Sequence, residues 1–86
     1  MIQLEKLFKA FANKRRLMII KFLKGRREAP VAEIAAAIKL SLKSTSRHLS
    51  ILFSNDVVEK EQRRLQVYYY LPAKPAPLIK HLLSVV

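Results

Sequence analysis

The sequence predicts a mainly α-helical chain carrying one β-hairpin, and three observations predict it. Apolar residues recur at helical spacing from Leu4 to Phe53. After Asn55-Asp56 the pattern changes to two short β-rich runs, VVEKEQ and LQVYYYL, around the polar tip Gln62-Arg63-Arg64. A proline-rich break, PAKPAP, then precedes a last stretch of helical periodicity.

Taken in order, Leu4, Leu7, Phe8 and Phe11 fall at i, i+3, i+4 and i+7, one face of a first helix. Asn13 is a good N-cap for a second helix, KRRLMIIKFLKG, which stops at Gly25, the only glycine in the chain. REAP reads as a loop, because Pro30 disfavours helix in the residues before it. VAEIAAAIKL is a short third helix with Ile34 and Ile38 inward, and its alanines permit a close neighbour. Ser41 caps a fourth helix over roughly 43–54, with Leu49, Leu52 and Phe53 toward the core. In the hairpin, Leu65, Val67, Tyr69 and Leu71 share one face; Gln66, Tyr68 and Tyr70 share the other. Leu78, Ile79, Leu82, Leu83 and Val86 mark the last helix. Two short helices joined by a tight turn and followed by a hairpin describe a helix-turn-helix with a wing.

The chain of 86 residues is expected to form one domain, 1–86. Apolar residues make up 51% of it, too many for disorder. Seventeen Lys and Arg against six acids give a net charge of +11, which points to a polyanionic partner. There is no cysteine, so disulfides and thiolate metal sites are excluded. MIQLEKLFKAF is interrupted by charges and lacks the apolar run of a signal peptide, and no stretch approaches the roughly 20 apolar residues of a membrane span. A cytoplasmic protein with no membrane role is the expectation.

The segment SLKSTSRHLSIL is the chemical centre of the sequence. Short hydroxyls are poor helix-interior residues and do not accumulate there without a reason. In a helix-turn-helix the second helix lies in the DNA major groove, and its first turns offer small donors and cations to phosphates and base edges. Ser41, Lys43, Ser44, Thr45, Ser46, Arg47 and His48 fill those turns. Arg47 suits a bidentate contact with guanine or phosphate, and Lys43 a point charge on a phosphate. For His48 two readings stand side by side: a DNA contact, or a hydrogen bond inside the domain. Gln62, Arg63 and Arg64 at the wing tip are expected to reach phosphates or the adjacent minor groove. Lys14, Arg15 and Arg16 open the second helix, where cations oppose its dipole, and read as a solvated surface. The three tyrosines read as ordinary strand residues, with Tyr69 in the core.

The run VAEIAAAIKLSLKSTSRHLSILFSNDVVEKEQRRLQVYYYL, with FANKRRLMIIKFL before it, resembles the ArsR-type winged-helix transcriptional repressors. The resemblance extends from about Phe11 to Leu71, and STSRHLSIL and VYYYL are its most specific parts. It implies a homodimer, paired through the first and last helices, on an inverted-repeat operator. Lys39 and Asp56 stand where that family usually has glycine, the wing tip has none, and Leu42 occupies a position that is often polar. Where many relatives carry metal-binding cysteines this chain reads Val31-Ala32-Glu33, and its last helix offers only His81. No metal and no cofactor are therefore expected.

The terminal helices also argue for a dimer on their own. Leu4, Leu7, Phe8 and Phe11, with Leu78, Ile79, Leu82 and Leu83, exceed what a small core needs and would pack against a symmetry mate. The expected function is a double-stranded-DNA-binding regulator, with an RNA-binding or protein-interaction module as the alternative. No nucleophile–base pair or Gly-rich phosphate loop supports an enzyme.

Overall fold

The structure is a computed structural model that describes residues 3–86. Its elements are α1 (Leu4–Phe11), α2 (Lys14–Lys24), β1 (Ala29–Pro30), α3 (Val31–Ile38), α4 (Leu42–Ser54), β2 (Glu59–Arg63), β3 (Gln66–Tyr70) and α5 (Pro77–Val85). Among the described residues, no helix is long and apolar enough to cross a membrane.

The starts of α2, α4 and α5 have a local cause. The Asn13 Oδ1 accepts from the Arg16 amide at 3.1 Å, and the Ser41 Oγ accepts from the Ser44 amide at 3.1 Å. Pro77 opens α5 at a position where its missing N–H costs nothing.

The two helix ends that set the helix-turn-helix share one geometry. At the end of α3 the Lys39 and Leu40 amides donate to Ala36 and Ala35 carbonyls; at the end of α4 the Asp56 and Val57 amides donate to Phe53 and Leu52 carbonyls. Both are Schellman stops, with the left-handed position held by Lys39 (φ 55°) or Asp56 (φ 62°). The residue after each, Leu40 or Val57, is drawn into or against the core. Gly25 also follows a helix, but with φ −90°, so it is not a left-handed stop.

REAP is not purely loop. Ala29 pairs with Tyr69 and Pro30 with Tyr68, which adds a short edge strand and gives a three-stranded antiparallel sheet in the order β1-β3-β2. Proline is tolerated there because an edge strand can leave its N–H position unpaired. In the hairpin Glu59 pairs with Tyr70 and Arg63 with Gln66. The connection is therefore two residues, Arg64-Leu65, with φ 56° at Arg64, a left-handed position filled without glycine.

Leu7, Phe11, Ile19, Ile20, Leu23, Ile34, Ile38, Leu49, Leu52, Val57, Val58, Tyr69, Ile79 and Leu83 form the core. Two expectations, for Phe53 and Leu65, are corrected by it. Phe53 is 39% exposed and lies under the Lys60 ammonium, 4.4 Å from its ring centroid, because β2 offers a lysine on that side. Leu65 does not share the inner face of β3; it sits in the turn, 98% exposed. Of the residues assigned to a dimer interface, Leu7, Phe11, Ile79 and Leu83 are buried within the protomer, since the terminal helices must cover this small core themselves. Leu4 and Phe8 stay exposed, and Leu78 and Leu82 are partly buried against the core.

A left-handed lysine costs of order 1 kcal/mol relative to glycine. Lys39→Gly is expected to stabilise the protein by about 1 kcal/mol, read as a higher urea midpoint at unchanged slope; an unchanged or lower midpoint would contradict the assignment of strain.

Candidate nucleic-acid interface

The helical pitch of α4 sorts the residues of SLKSTSRHLSIL. Thr45, Leu49 and Leu52 point into the core, while Lys43, Ser46, Arg47 and Ser50 form an exposed stripe at i, i+3, i+4 and i+7. Ser41 is exposed and its hydroxyl is engaged as the cap; Ser44 is half-buried. Thr45 corrects the expectation. It is 0% exposed, and its Oγ1 has no side-chain hydrogen bond, so it is a packing residue and not part of the outward surface. Ser50, not singled out from the sequence, completes the stripe, and the i+3 step from Arg47 is the signal that finds it.

Arg15 and Arg16 do not form a merely solvated surface. The Arg16 guanidinium donates from Nε to the Ala10 carbonyl at 2.8 Å and from Nη2 to the Lys9 carbonyl at 3.0 Å. Arg15 donates to the Ile38 carbonyl at 3.0 Å. These cations oppose the dipole of their own helix, yet they sit at the C-terminal, partially negative ends of α1 and α3. Sequence alone could not reveal this, because the two carbonyl ends come from other segments of the chain.

The third Arg16 bond, from Nη1 to the His48 Nδ1 at 3.1 Å, ties α2 to α4. A guanidinium only donates, so Nδ1 must accept, and the imidazole is neutral with its proton on Nε2. Burial holds the His48 pKa below the usual histidine value, and the positive charges of Arg16, Arg15 and Arg47 lower it further. Of the two readings, the hydrogen bond inside the domain is the one observed.

At the wing, Arg63 is engaged within the protomer. It donates to the Glu28 carboxylate at 2.6 Å and to Glu61 at 2.7 Å, and its guanidinium covers the Tyr68 ring at 4.6 Å. The Arg63 hydrogen bonds hold the Glu28 carboxyl below the usual carboxylate range, and the two carboxylates push the Arg63 pKa up. Arg63 thus braces the hairpin against the residue preceding β1. Gln62 and Arg64 remain exposed at the tip, linked by a Gln62 side-chain bond to the Arg64 carbonyl at 3.4 Å. Among the described residues, no three His, Cys, Asp or Glu side chains cluster as metal ligands.

The folded state resists protonation of His48 more than the unfolded chain does. Stability from this group is present above about pH 6.5 and is lost as pH falls toward the lowered folded value. NMR titration is expected to put the His48 midpoint below 6.5, with a urea midpoint that drops on acidification through that range. A midpoint at or above 6.5 would rule out the Arg16–His48 arrangement.

No curated protein sequence matches the chain. Solved structures do. The transcriptional regulator HlyU from Vibrio vulnificus is 32% identical, with a TM-score of 0.76 over 95% of this chain and 81% of that one. The homodimeric winged helix-turn-helix DNA-binding domain Mb0332 from Mycobacterium bovis, a possible ArsR-family regulator, is 29% identical, with a TM-score of 0.80 over 95% and 72%. The transcriptional repressor PagR of Bacillus anthracis is 25% identical, with a TM-score of 0.75 over 95% and 93%. The sequence profile of bacterial regulatory proteins of the arsR family matches residues 13–60, from the Asn13 cap to the start of the wing. The five helices, the three-stranded wing sheet and this match identify the chain as a member of the arsR family, a winged helix-turn-helix DNA-binding transcriptional regulator and not an enzyme.

Proposed function

We propose that the protein represses transcription as a homodimer on an inverted-repeat operator, with one α4 in each of two successive major grooves. One observation carries this reading: the exposed stripe Lys43, Ser46, Arg47 and Ser50 on the second helix of the motif, on a chain of net charge +11. Two such helices, roughly 34 Å apart in a symmetric pair, would match one turn of DNA. Lys43, Arg47 and the wing-tip Gln62 and Arg64 would hold phosphates, while Ser46 and Ser50 allow close approach to the groove. Ser41 and Ser44 contribute at the helix N-terminus, where the dipole favours an anion. Arg63, Thr45 and His48 act indirectly, by fixing the wing and the helix.

The dimer reading rests on apolar surface that the protomer does not cover. Leu4 and Phe8 are 54% and 49% exposed along α1. An open groove of about 770 Å³ between the end of α1, α2 and α5 is lined by Leu17, Met18, Leu82 and Val85. Exposed apolar side chains and an open apolar groove on so small a domain support association there. Leu78 and Leu82 lie on the helix that borders it. The pairing would join the terminal helices, and the chain would act as one such domain in the cytoplasm, with no thiolate metal ligand because it has no cysteine.

An RNA-binding role through the tyrosine-bearing hairpin is less well supported, since Tyr69 is buried and the Arg63 guanidinium covers the Tyr68 ring.

Arg47→Ala combined with Lys43→Ala is expected to weaken duplex binding by at least tenfold and to flatten its salt dependence by about two contacts, measured by fluorescence anisotropy. Binding unchanged by both substitutions, or single-stranded RNA outcompeting the duplex, would defeat the assignment. Phe8→Glu is expected to leave the fold intact and produce a monomer by sedimentation, with loss of inverted-repeat binding; a dimer that persists would redirect the interface elsewhere.

A further inference from the structure

Two of the most exposed apolar side chains lie at the end of the molecule that carries the cationic stripe. Leu42, the first residue of α4, is 56% exposed, and Leu65, at the wing turn, is 98% exposed. Both line one groove of about 300 Å³ with Pro30, Val31, Gln66 and Val67. Leu42 therefore stands at the mouth of a concave apolar surface between the recognition helix and the wing. It lies about 40° around the helix from Ser46, at the border of the exposed stripe.

The surroundings define the occupant. Lys43 and Arg47 on the helix that Leu42 opens, and Arg64 next to Leu65 in the wing turn, are exposed cations, so what enters is anionic overall. It must also present a small apolar group, because Leu42 offers no donor or acceptor. Duplex DNA meets both conditions: the thymine 5-methyl is the apolar group that base pairs display in the major groove. The first turn of a recognition helix is the part directed at base edges.

We propose that Leu42 is a specificity-determining residue that packs on the 5-methyl group of a thymine, with the groove beside it completing the apolar contact. A polar residue at this position would read a donor or acceptor; leucine reads a methyl and selects thymine over cytosine, which has none. This inference rests on the duplex-binding reading above.

The test removes the methyl and nothing else. Duplexes are first selected from a random pool with the wild-type protein, and each thymine is then replaced in turn by deoxyuridine. Wild-type binding is expected to fall about fourfold at one or more thymines, the value of one buried methyl. Leu42→Ala, at an exposed position and checked for folding by circular dichroism, is expected to bind the thymine and uracil duplexes equally at those positions. Uracil tolerated at every thymine would overturn the proposal, as would a methyl preference that survives in Leu42→Ala. Selection that yields no bound duplex would instead overturn the duplex-binding reading, and this inference with it.

Discussion

The arrangement of this protein depends on where three backbone carbonyls, all at helix ends, find their donors. Arg16 closes the end of α1 and Arg15 the end of α3, and both side chains leave from the first turn of α2. Each places a positive charge where a helix is partially negative, and each satisfies a carbonyl that the helix itself cannot. The same Arg16 guanidinium reaches the His48 ring on α4. One side chain therefore joins the helix with the exposed apolar face, α1, to the helix with the exposed cationic face, α4. The relative orientation of those two surfaces is set by hydrogen bonds inside a single protomer, before any partner arrives.

Much of the architecture was legible from periodicity and end signals. The caps at Asn13 and Ser41 are where the side-chain chemistry placed them, and the change from helical to alternating pattern after Asp56 marked the wing. The features that escaped are those in which distant segments cooperate. Two residues, Ala29 and Pro30, are too few to show any alternation, and they become a strand only because the central strand β3 has a free edge. Phe53 fits the inward spacing of α4 but lies near that helix's end, where β2 supplies a lysine cover instead of an apolar wall. Leu65 fits the alternation of β3, but the two-residue turn takes it out of the strand.

The candidate surface was legible as a cluster but not as a geometry. Composition and spacing marked the hydroxyl-and-cation run; only the helix orientation separates the outward Lys43, Ser46, Arg47 and Ser50 from the buried Thr45 and the internally bonded His48. Likewise, the local sequence of the wing tip displays two adjacent arginines as equals. The carboxylates of Glu28 and Glu61 make them different, one a brace and one an exposed cation.

The sheet has two outer edges, and neither invites another strand. On one side β1 ends in Pro30, which has no N–H to offer. On the other, β2 is five exposed residues, Glu-Lys-Glu-Gln-Arg, of which four carry charge. A polypeptide that is half apolar and presents open backbone beside its wing is exposed to edge-to-edge aggregation. Here the donor-less proline and the charged flank disfavour strand pairing at both edges, so crowded copies of the protein are steered away from fibrils.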